Sequence, residues 1–238
     1  MKTKQIYLDN SYFKMMFATI LEVQEEDGKY RVLLDQTVFY PMGGGQPTDQ
    51  GTLTSDDWTA EVYQVMMKDG EIWHYLNTSI PPTIGMNVTG ELNWERRFKN
   101  MRVHSAGHII DFALHLAGAS PEHLQPLKGD HGKKPYILYQ GQLNRDYRLE
   151  LETKANELVE KNLEFSFRFV TLEELQKEAI YLQPGLPTDK QLRALYLETV
   201  GAVADGGTQV KRTGEVGKIT IPSIFEEDGM TKIVYSVE

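Results

Sequence analysis

Cysteine is absent from this chain. No disulfide can form and no thiolate can bind a metal, so any metal would rest on histidine, carboxylate or amide oxygen. Also missing is any run of roughly 18 apolar residues, the length a helix needs to cross a bilayer. The N-terminus, Met1-Lys2-Thr3-Lys4-Gln5-Ile6, starts basic but lacks the apolar stretch of a secretory leader. No membrane contact is expected, and the cytoplasm is the expected compartment. An excess of positive charge is missing too. Thirty-four acidic residues against 25 basic ones leave a net charge of −9. Proteins that rely on non-specific phosphate contacts are usually basic, so any nucleic-acid contact falls to a local patch.

What is present is ordinary globular material. The chain has 238 residues, 40% of them hydrophobic, enough for one large domain or two small ones. The first ninety or so residues read as strands. Met15 to Gln24 and Tyr30 to Leu34 flank Glu25-Glu26-Asp27-Gly28-Lys29. Thr59 to Met67 and Ile72 to Leu76 repeat the pattern around Lys68-Asp69-Gly70-Glu71. An Asp-Gly pair suits a hairpin turn. Asn87 to Leu92 adds a strand after Pro81-Pro82, and the set predicts a small all-β barrel.

Between the hairpins lies Thr37-Val38-Phe39-Tyr40-Pro41-Met42-Gly43-Gly44-Gly45-Gln46-Pro47-Thr48-Asp49-Gln50-Gly51. Consecutive glycines cost backbone entropy and bury no side chain. Two readings stand: a turn joining two strands, or a loop whose N–H groups approach a phosphate or carboxylate. A P-loop is excluded, because no Gly-Lys-Ser/Thr follows.

A helix is predicted next, with Asn93 as N-cap, Glu95 in the first turn, an end near Leu116 and a stop at Gly118. Phe98, Met101, His104, His108, Phe112 and His115 share one inward face. His104 and His108, four apart, sit one turn above another, the spacing at which two imidazoles bind one metal. Core histidines without a ligand are the plainer reading of an isolated pair. Asp111 is placed to orient an imidazole. Gly107 inside a helix points to close approach of another segment.

Residues from Pro121 to Pro135 read as loop, with His123 and His131 as solvated histidines. Tyr136 to Gln140 is a predicted strand and Arg148 to Asn162 an amphipathic helix. Phe165, Phe167 and Phe169 alternate as in a strand, and Thr171-Leu172-Glu173-Glu174 is a capping box opening a third helix that Pro184-Gly185-Leu186-Pro187 ends. Leu192 to Val200, Val216 to Ile221 and Lys232 to Val237 are further strands, the last two parted by the Glu226-Glu227-Asp228-Gly229 turn. Helices mixed with a sheet make this half α+β. The domains expected are 1–92, the barrel with its glycine-rich loop, and 93–238.

A second glycine loop, Ala204-Asp205-Gly206-Gly207-Thr208-Gln209-Val210-Lys211-Arg212-Thr213-Gly214-Glu215-Val216-Gly217, sets two oxygen-bearing side chains beside a tight turn. It reads either as a polar hairpin or as a segment facing a metal. Here the chain resembles the AlaX-type alanyl-tRNA trans-editing proteins, relatives of the editing domain of alanyl-tRNA synthetase. Three segments carry the resemblance. Phe39 to Pro47 looks like the family's barrel glycine motif and His104-Ser105-Ala106-Gly107-His108 like its first metal half-motif. Asp205-Gly206-Gly207-Thr208-Gln209-Val210 looks like the second, where the family usually has Cys-Gly-Gly-Thr-His-Val.

The resemblance implies an α+β fold: a small N-terminal all-β barrel followed by an α+β editing domain shared with threonyl- and alanyl-tRNA synthetases. It implies hydrolysis, in trans, of the ester joining serine, or glycine, to the 3′ end of alanine tRNA. It implies zinc held by His104, His108, Asp205 and Gln209, with Gly206, Gly207 and Thr208 as catalytic residues. Substrate would meet Thr37, Gly43, Gly44, Gly45, Gln46, Lys211 and Arg212. Thr37 is the candidate for telling serine from alanine. Asp205 and Gln209 stand where the family has Cys and His, and aspartate ligates zinc better than glutamine does. One reading gives three protein ligands and a water; the other gives an empty site or another metal. Lys211, Arg212, Arg96, Arg97, Lys99 and Arg102 read equally as contacts to the acceptor-end phosphates or as solvated charge. Two rivals to the deacylase stand: a degenerate module of the same fold that binds an acceptor end or small ligand without catalysis, and a metal-dependent hydrolase of another small ester.

Overall fold

Asp-Gly pairs set three of the hairpins. Asp27-Gly28, Asp69-Gly70 and Asp228-Gly229 all adopt positive φ at both positions, the geometry that matches the twist of paired strands. The structure, a computed structural model, describes residues 3–120, 123–143 and 145–238. Met1 and Lys2 of the basic N-terminus, and Pro121 at the start of the expected loop, lie outside them. The chain divides into two compact units, Met1–Asn100 and Met101–Glu238.

In the first unit, β1 (Lys4–Gln5), β2 (Met15–Glu26), β3 (Lys29–Leu34) and β4 (Gln36–Thr37) are followed by β5 (Gly51–Ser55), β6 (Trp58–Lys68), β7 (Glu71–Asn77) and β8 (Asn87–Leu92). Six of them close an antiparallel barrel in the order β2-β3-β7-β6-β5-β8, with β8 returning to β2. Alternation explains the inside. Met16, Ala18 and Ile20 are buried while Met15 and Phe17 face out. They meet Val32, Leu34, Leu53, Val62, Ile72, Leu76 and Val88 in one core. The sequence pattern misses β5, because Leu53 is its only buried apolar side chain and the flanking Thr and Ser carry no period.

The glycine-rich segment between β4 and β5 is tied at both ends. Gly43 and Gln46 exchange backbone hydrogen bonds, and Gly44 and Gly45 take φ of 54° and 77° between them. This is a two-residue hairpin turn that L side chains rarely fit. At its base the buried Asp49 carboxylate accepts the Tyr40 N–H (2.7 Å) and pairs with Arg97. Arg97, wholly buried, also donates to the carbonyls of Ser11 and Val38. This arginine therefore holds the loop and offers nothing to a phosphate.

Helix α1 (Trp94–Leu116) starts where expected, the Asn93 side chain accepting the Arg96 N–H at 3.0 Å. Gly118 follows its end at φ 72°. The boundary between the units falls inside this helix. Every residue from His104 to Leu114 is buried, so the helix is enclosed all round there and not only on its histidine face.

The second unit continues with β9 (Gln125–Asp130), β10 (Tyr136–Gln140), α2 (Arg148–Glu160), β11 (Phe165–Val170), α3 (Leu172–Gln176), β12 (Leu192–Leu197), β13 (Gly201–Ala204), β14 (Ile219–Glu227) and β15 (Met230–Val237). One antiparallel sheet runs β14-β15-β10-β9, another β11-β12-β13. Helix α2 fastens onto β14: Asn156 bonds both the N–H and C=O of Ile219, and Glu152 accepts the Ile221 N–H.

Several expectations shift here. The stretch read as loop contains β9, whose Pro126 and Gly129 hide it from a propensity reading. The capping box at Thr171 and Glu174 forms, but α3 stops at Gln176 instead of running to Pro184. Beyond it, Glu178 and Ile180 bond the backbone of Ala202 and so extend the edge beside β13. The single strand expected over Leu192 to Val200 is a hairpin, turned at Thr199 (φ 64°). Val216, read as the start of a strand, closes a short helical turn.

Candidate metal and hydrolytic centre

Helix α1 and the loop after β13 bring the two half-motifs together. His104 Nε2 and His108 Nε2 each lie 3.6 Å from Asp205 Oδ1. Ligand atoms of all three lie within 4.8 Å of one another. Ligands about 2.0–2.2 Å from one tetrahedral zinc sit about 3.3–3.6 Å apart, so the spacing suits an ion between them. Neither ring nitrogen of the buried His108 makes a hydrogen bond of ordinary length: Nδ1 faces Asp111 at 3.4 Å, and Nε2, 3.6 Å from Asp205, is left unsatisfied inside the cluster. The residues present fit a metal.

The carboxylate is held so that one oxygen faces the histidines. Asp205 Oδ1 accepts the Gly207 N–H (2.9 Å), and Oδ2 accepts Gln209 Nε2 (3.0 Å). Arg193, buried on β12, lies 3.6 Å from Oδ2 and donates to the Gly207 carbonyl. Gln209 therefore orients Asp205, and its amide oxygen is taken by the Ser105 hydroxyl at 2.6 Å. The same hydroxyl accepts the Val210 N–H, which latches the loop to the helix between the two histidines. Gly207 lets the loop approach: a Cβ there would stand 2.2 Å from His104 Cε1. Thr208 is fully buried beside it, and Gly206 is exposed.

On the other side, Asp111 Oδ2 stands 3.4 Å from His108 Nδ1, and the carboxylate accepts the hydroxyls of Tyr139 (2.5 Å) and Tyr181 (2.9 Å). A carboxylate behind a histidine fixes its tautomer and ring orientation. Burial, together with the Asp111 charge, raises both tyrosines well above the ordinary phenol, so they stay neutral donors. Burial lowers His108, but Asp111 and Asp205 outweigh it and raise the imidazole to about 9. Burial, with the neighbouring His131, pushes His104 well below the usual imidazole range. Burial would raise Asp205, yet His104, His108 and Arg193 hold it well below the usual carboxylate range.

The remaining predicted residues spread out. Thr37 is fully buried within the barrel unit, its hydroxyl 2.7 Å from His74 Nε2 and accepting the Phe39 N–H. Gly43, Gly44 and Gly45 form the exposed turn described above, and the Gln46 side chain is buried. Lys211 and Arg212 are exposed, with Arg212 Nε donating to Asn162 O. Arg96 and Arg102 direct guanidinium groups at the carbonyls of Thr48 and of Val216 and Glu238. His123 is exposed as expected, but His131 is buried and stacks on His104 with ring centroids 4.3 Å apart. Sequence reasoning missed His131, Arg193, Tyr139, Tyr181 and Tyr235. Only Tyr139 carried a signal, since β10 alternates and puts it inward with Ile137.

A closed barrel followed by an α+β unit with a two-histidine, one-carboxylate cluster defines a protein of the class II tRNA-synthetase editing type. The family model for class II tRNA synthetases (A) matches residues 7–96. The chain is 33% identical over 244 residues to the alanine–tRNA ligase of Halobacterium salinarum and 31% identical over 227 residues to that of Methanobrevibacter smithii. It spans about a quarter of the length of these ligases, 26% and 25%, while they match 99% and 92% of it. It is also 31% identical over 245 residues to the alanyl-tRNA editing protein AlaX-M of Saccharolobus solfataricus, covering 99% of both chains. The chain belongs to the AlaX-type alanyl-tRNA editing family.

Proposed function

We propose that this protein hydrolyses mischarged alanine tRNA in trans, releasing serine or glycine from the 3′ end, with zinc held by His104, His108 and Asp205. The observation that carries the reading is the Asp205 oxygen placed 3.6 Å from both imidazole nitrogens, spacing suited to one tetrahedral ion. The full-length similarity to an alanyl-tRNA editing protein supports the substrate. Three protein ligands leave a fourth position open, as catalytic sites do. Bound there, zinc supplies Lewis acidity toward the ester carbonyl.

The chain's own groups do the rest. Asp111, braced by Tyr139 and Tyr181, fixes the His108 ring. Gln209 and Gly207 hold the Asp205 carboxylate with Oδ1 toward the histidines. The Gly207 N–H is committed to that carboxylate, so the neighbouring Gly206 N–H, in an exposed residue, is the donor assigned to the developing oxyanion. Water adds to the ester carbonyl, the carbon–oxygen bond to the ribose breaks, and the ribose oxygen leaves with a proton. The ribose hydroxyl next to the ester is assigned as the relay: it accepts the water's proton while passing its own to the leaving ribose oxygen. Ligation through Asp205 and two histidines, with Gln209 behind Asp205, replaces the Cys and His usual in the family.

The test is deacylation of seryl-tRNA made on alanine tRNA, with the zinc-loaded protein, with chelator, and with His104→Ala. Serine release well above the buffer rate is expected from the loaded protein, falling to near that rate in the other two. No release by the loaded protein would favour the non-catalytic binding module. Release that survives both treatments would remove the metal from the reaction.

A further inference from the structure

The buried His131 has no part in the cluster of three ligand groups, yet space has been cleared for it. A Cβ on Gly107 of α1 would stand 2.7 Å from its Cε1, and one on Gly129 of β9 would stand 2.4 Å from its Nε2. The ring lies nearly parallel to His104, at 25° and 4.3 Å. Its Nδ1 is 2.6 Å from the Tyr235 hydroxyl, and that hydroxyl lies 3.1 Å from the carbonyl oxygen of Val103. A phenol has one proton. The imidazole's tautomer decides which way the 2.6 Å contact runs, and in either case Tyr235 ties the His131 ring to the Val103 carbonyl. The chain of contacts thus begins on the helix one residue before His104 and returns to the face of His104 itself.

We propose that His131 is a positioning residue for the metal centre: gripped between Gly107 and Gly129 and steered by Tyr235, it sets the ring plane of His104 and so the aim of Nε2 toward Asp205. This rests on the metal reading above. A stacked plane fixes rotation about the imidazole's own axis, which a single ligand bond leaves loose, and partners behind a ligand are worth about 10–100-fold in metal affinity.

The test is competitive titration of zinc, and of cobalt(II) as a coloured probe, into the wild type, His131→Asn and Tyr235→Phe. Tyr235→Phe keeps the ring and its packing, so it serves where His131→Asn folds poorly. The expected result is affinity about tenfold or more weaker in both, with the cobalt visible bands of both shifted in the same direction. Circular dichroism matching the wild type would exclude unfolding as the cause. Affinity and cobalt spectra unchanged in both folded variants would overturn the role of His131 and leave the metal reading intact. A wild type that takes up neither metal would overturn both.

Discussion

At the scale of single residues, the centre depends on a missing methyl. Gly207 lies against His104, and a Cβ would meet its ring at 2.2 Å, so either the ring turns or the loop backs away. Each outcome moves Asp205 or His104 off the 3.6 Å spacing. Gly206, one residue earlier, has nothing within 4 Å of where a Cβ would stand. Gly207→Ala is therefore expected to weaken zinc about 10–100-fold, and Gly206→Ala to leave zinc affinity as it is. Calorimetric titration of the pair checks this; equal affinities for the two would show that contact with His104 is not what demands glycine at 207. The contrast also marks what a sequence yields about a site. His104 and His108 are legible because helical spacing places them on one face. Asp205 is legible beside its glycines. The orienting role of Gln209 is not, since it depends on Ser105, 104 residues away, taking the amide oxygen. His131 read as a solvated loop residue because the glycines that make room for it, 107 and 129, come from different elements.

At the scale of elements, strand β7 carries a buried imidazole into the barrel. His74 is fully enclosed, with Nε2 on the Thr37 hydroxyl, and burial lowers it to about 4. In the unfolded chain a histidine takes its proton near pH ~6.5. Between these values the unfolded state binds more protons, so stability falls with falling pH. The contribution of neutral His74 is complete above about pH 6.5 and is lost as the pH drops toward 4. The loss by pH ~4.5 is about 2–3 kcal/mol. Urea unfolding at pH ~7 and ~4.5 should therefore show a smaller drop for His74→Gln than for the wild type, by about that amount. Equal drops would mean that His74 is not the group titrating. The barrel that houses this strand was the most legible part of the fold. Its hairpins announce themselves through Asp-Gly turns and period-two burial, and both are local. In the second unit, β9 and the edge formed by Glu178 and Ile180 were hidden. Their pairing partners are set by tertiary hydrogen bonds and not by their own composition.

At the scale of the whole molecule, charge separates this protein from most that grip nucleic acid. The net charge is −9, and the basic residues of α1 are largely engaged within the fold: Arg97 with Asp49, Arg96 with Thr48 O, Arg102 with Val216 O. Lys211 and Arg212 are exposed beside the second glycine loop, and the proposed reading assigns them to a phosphate near the reacting ester. On the proposed reading, contact with tRNA through so few charges would release few counterions. The affinity for alanine tRNA should then fall with salt at a log–log slope no steeper than about −3, and Lys211→Ala with Arg212→Ala together should flatten it by about 2. Fluorescence anisotropy across a salt series measures both quantities. A slope steeper than about −6 would require a broad basic face and would overturn this expectation. An unchanged slope in the double variant would move the phosphate contact away from the loop. On the proposed reading, weak and salt-tolerant binding would leave most of the discrimination against correctly charged tRNA to the ester, beside the two histidines and Asp205, and not to the duplex.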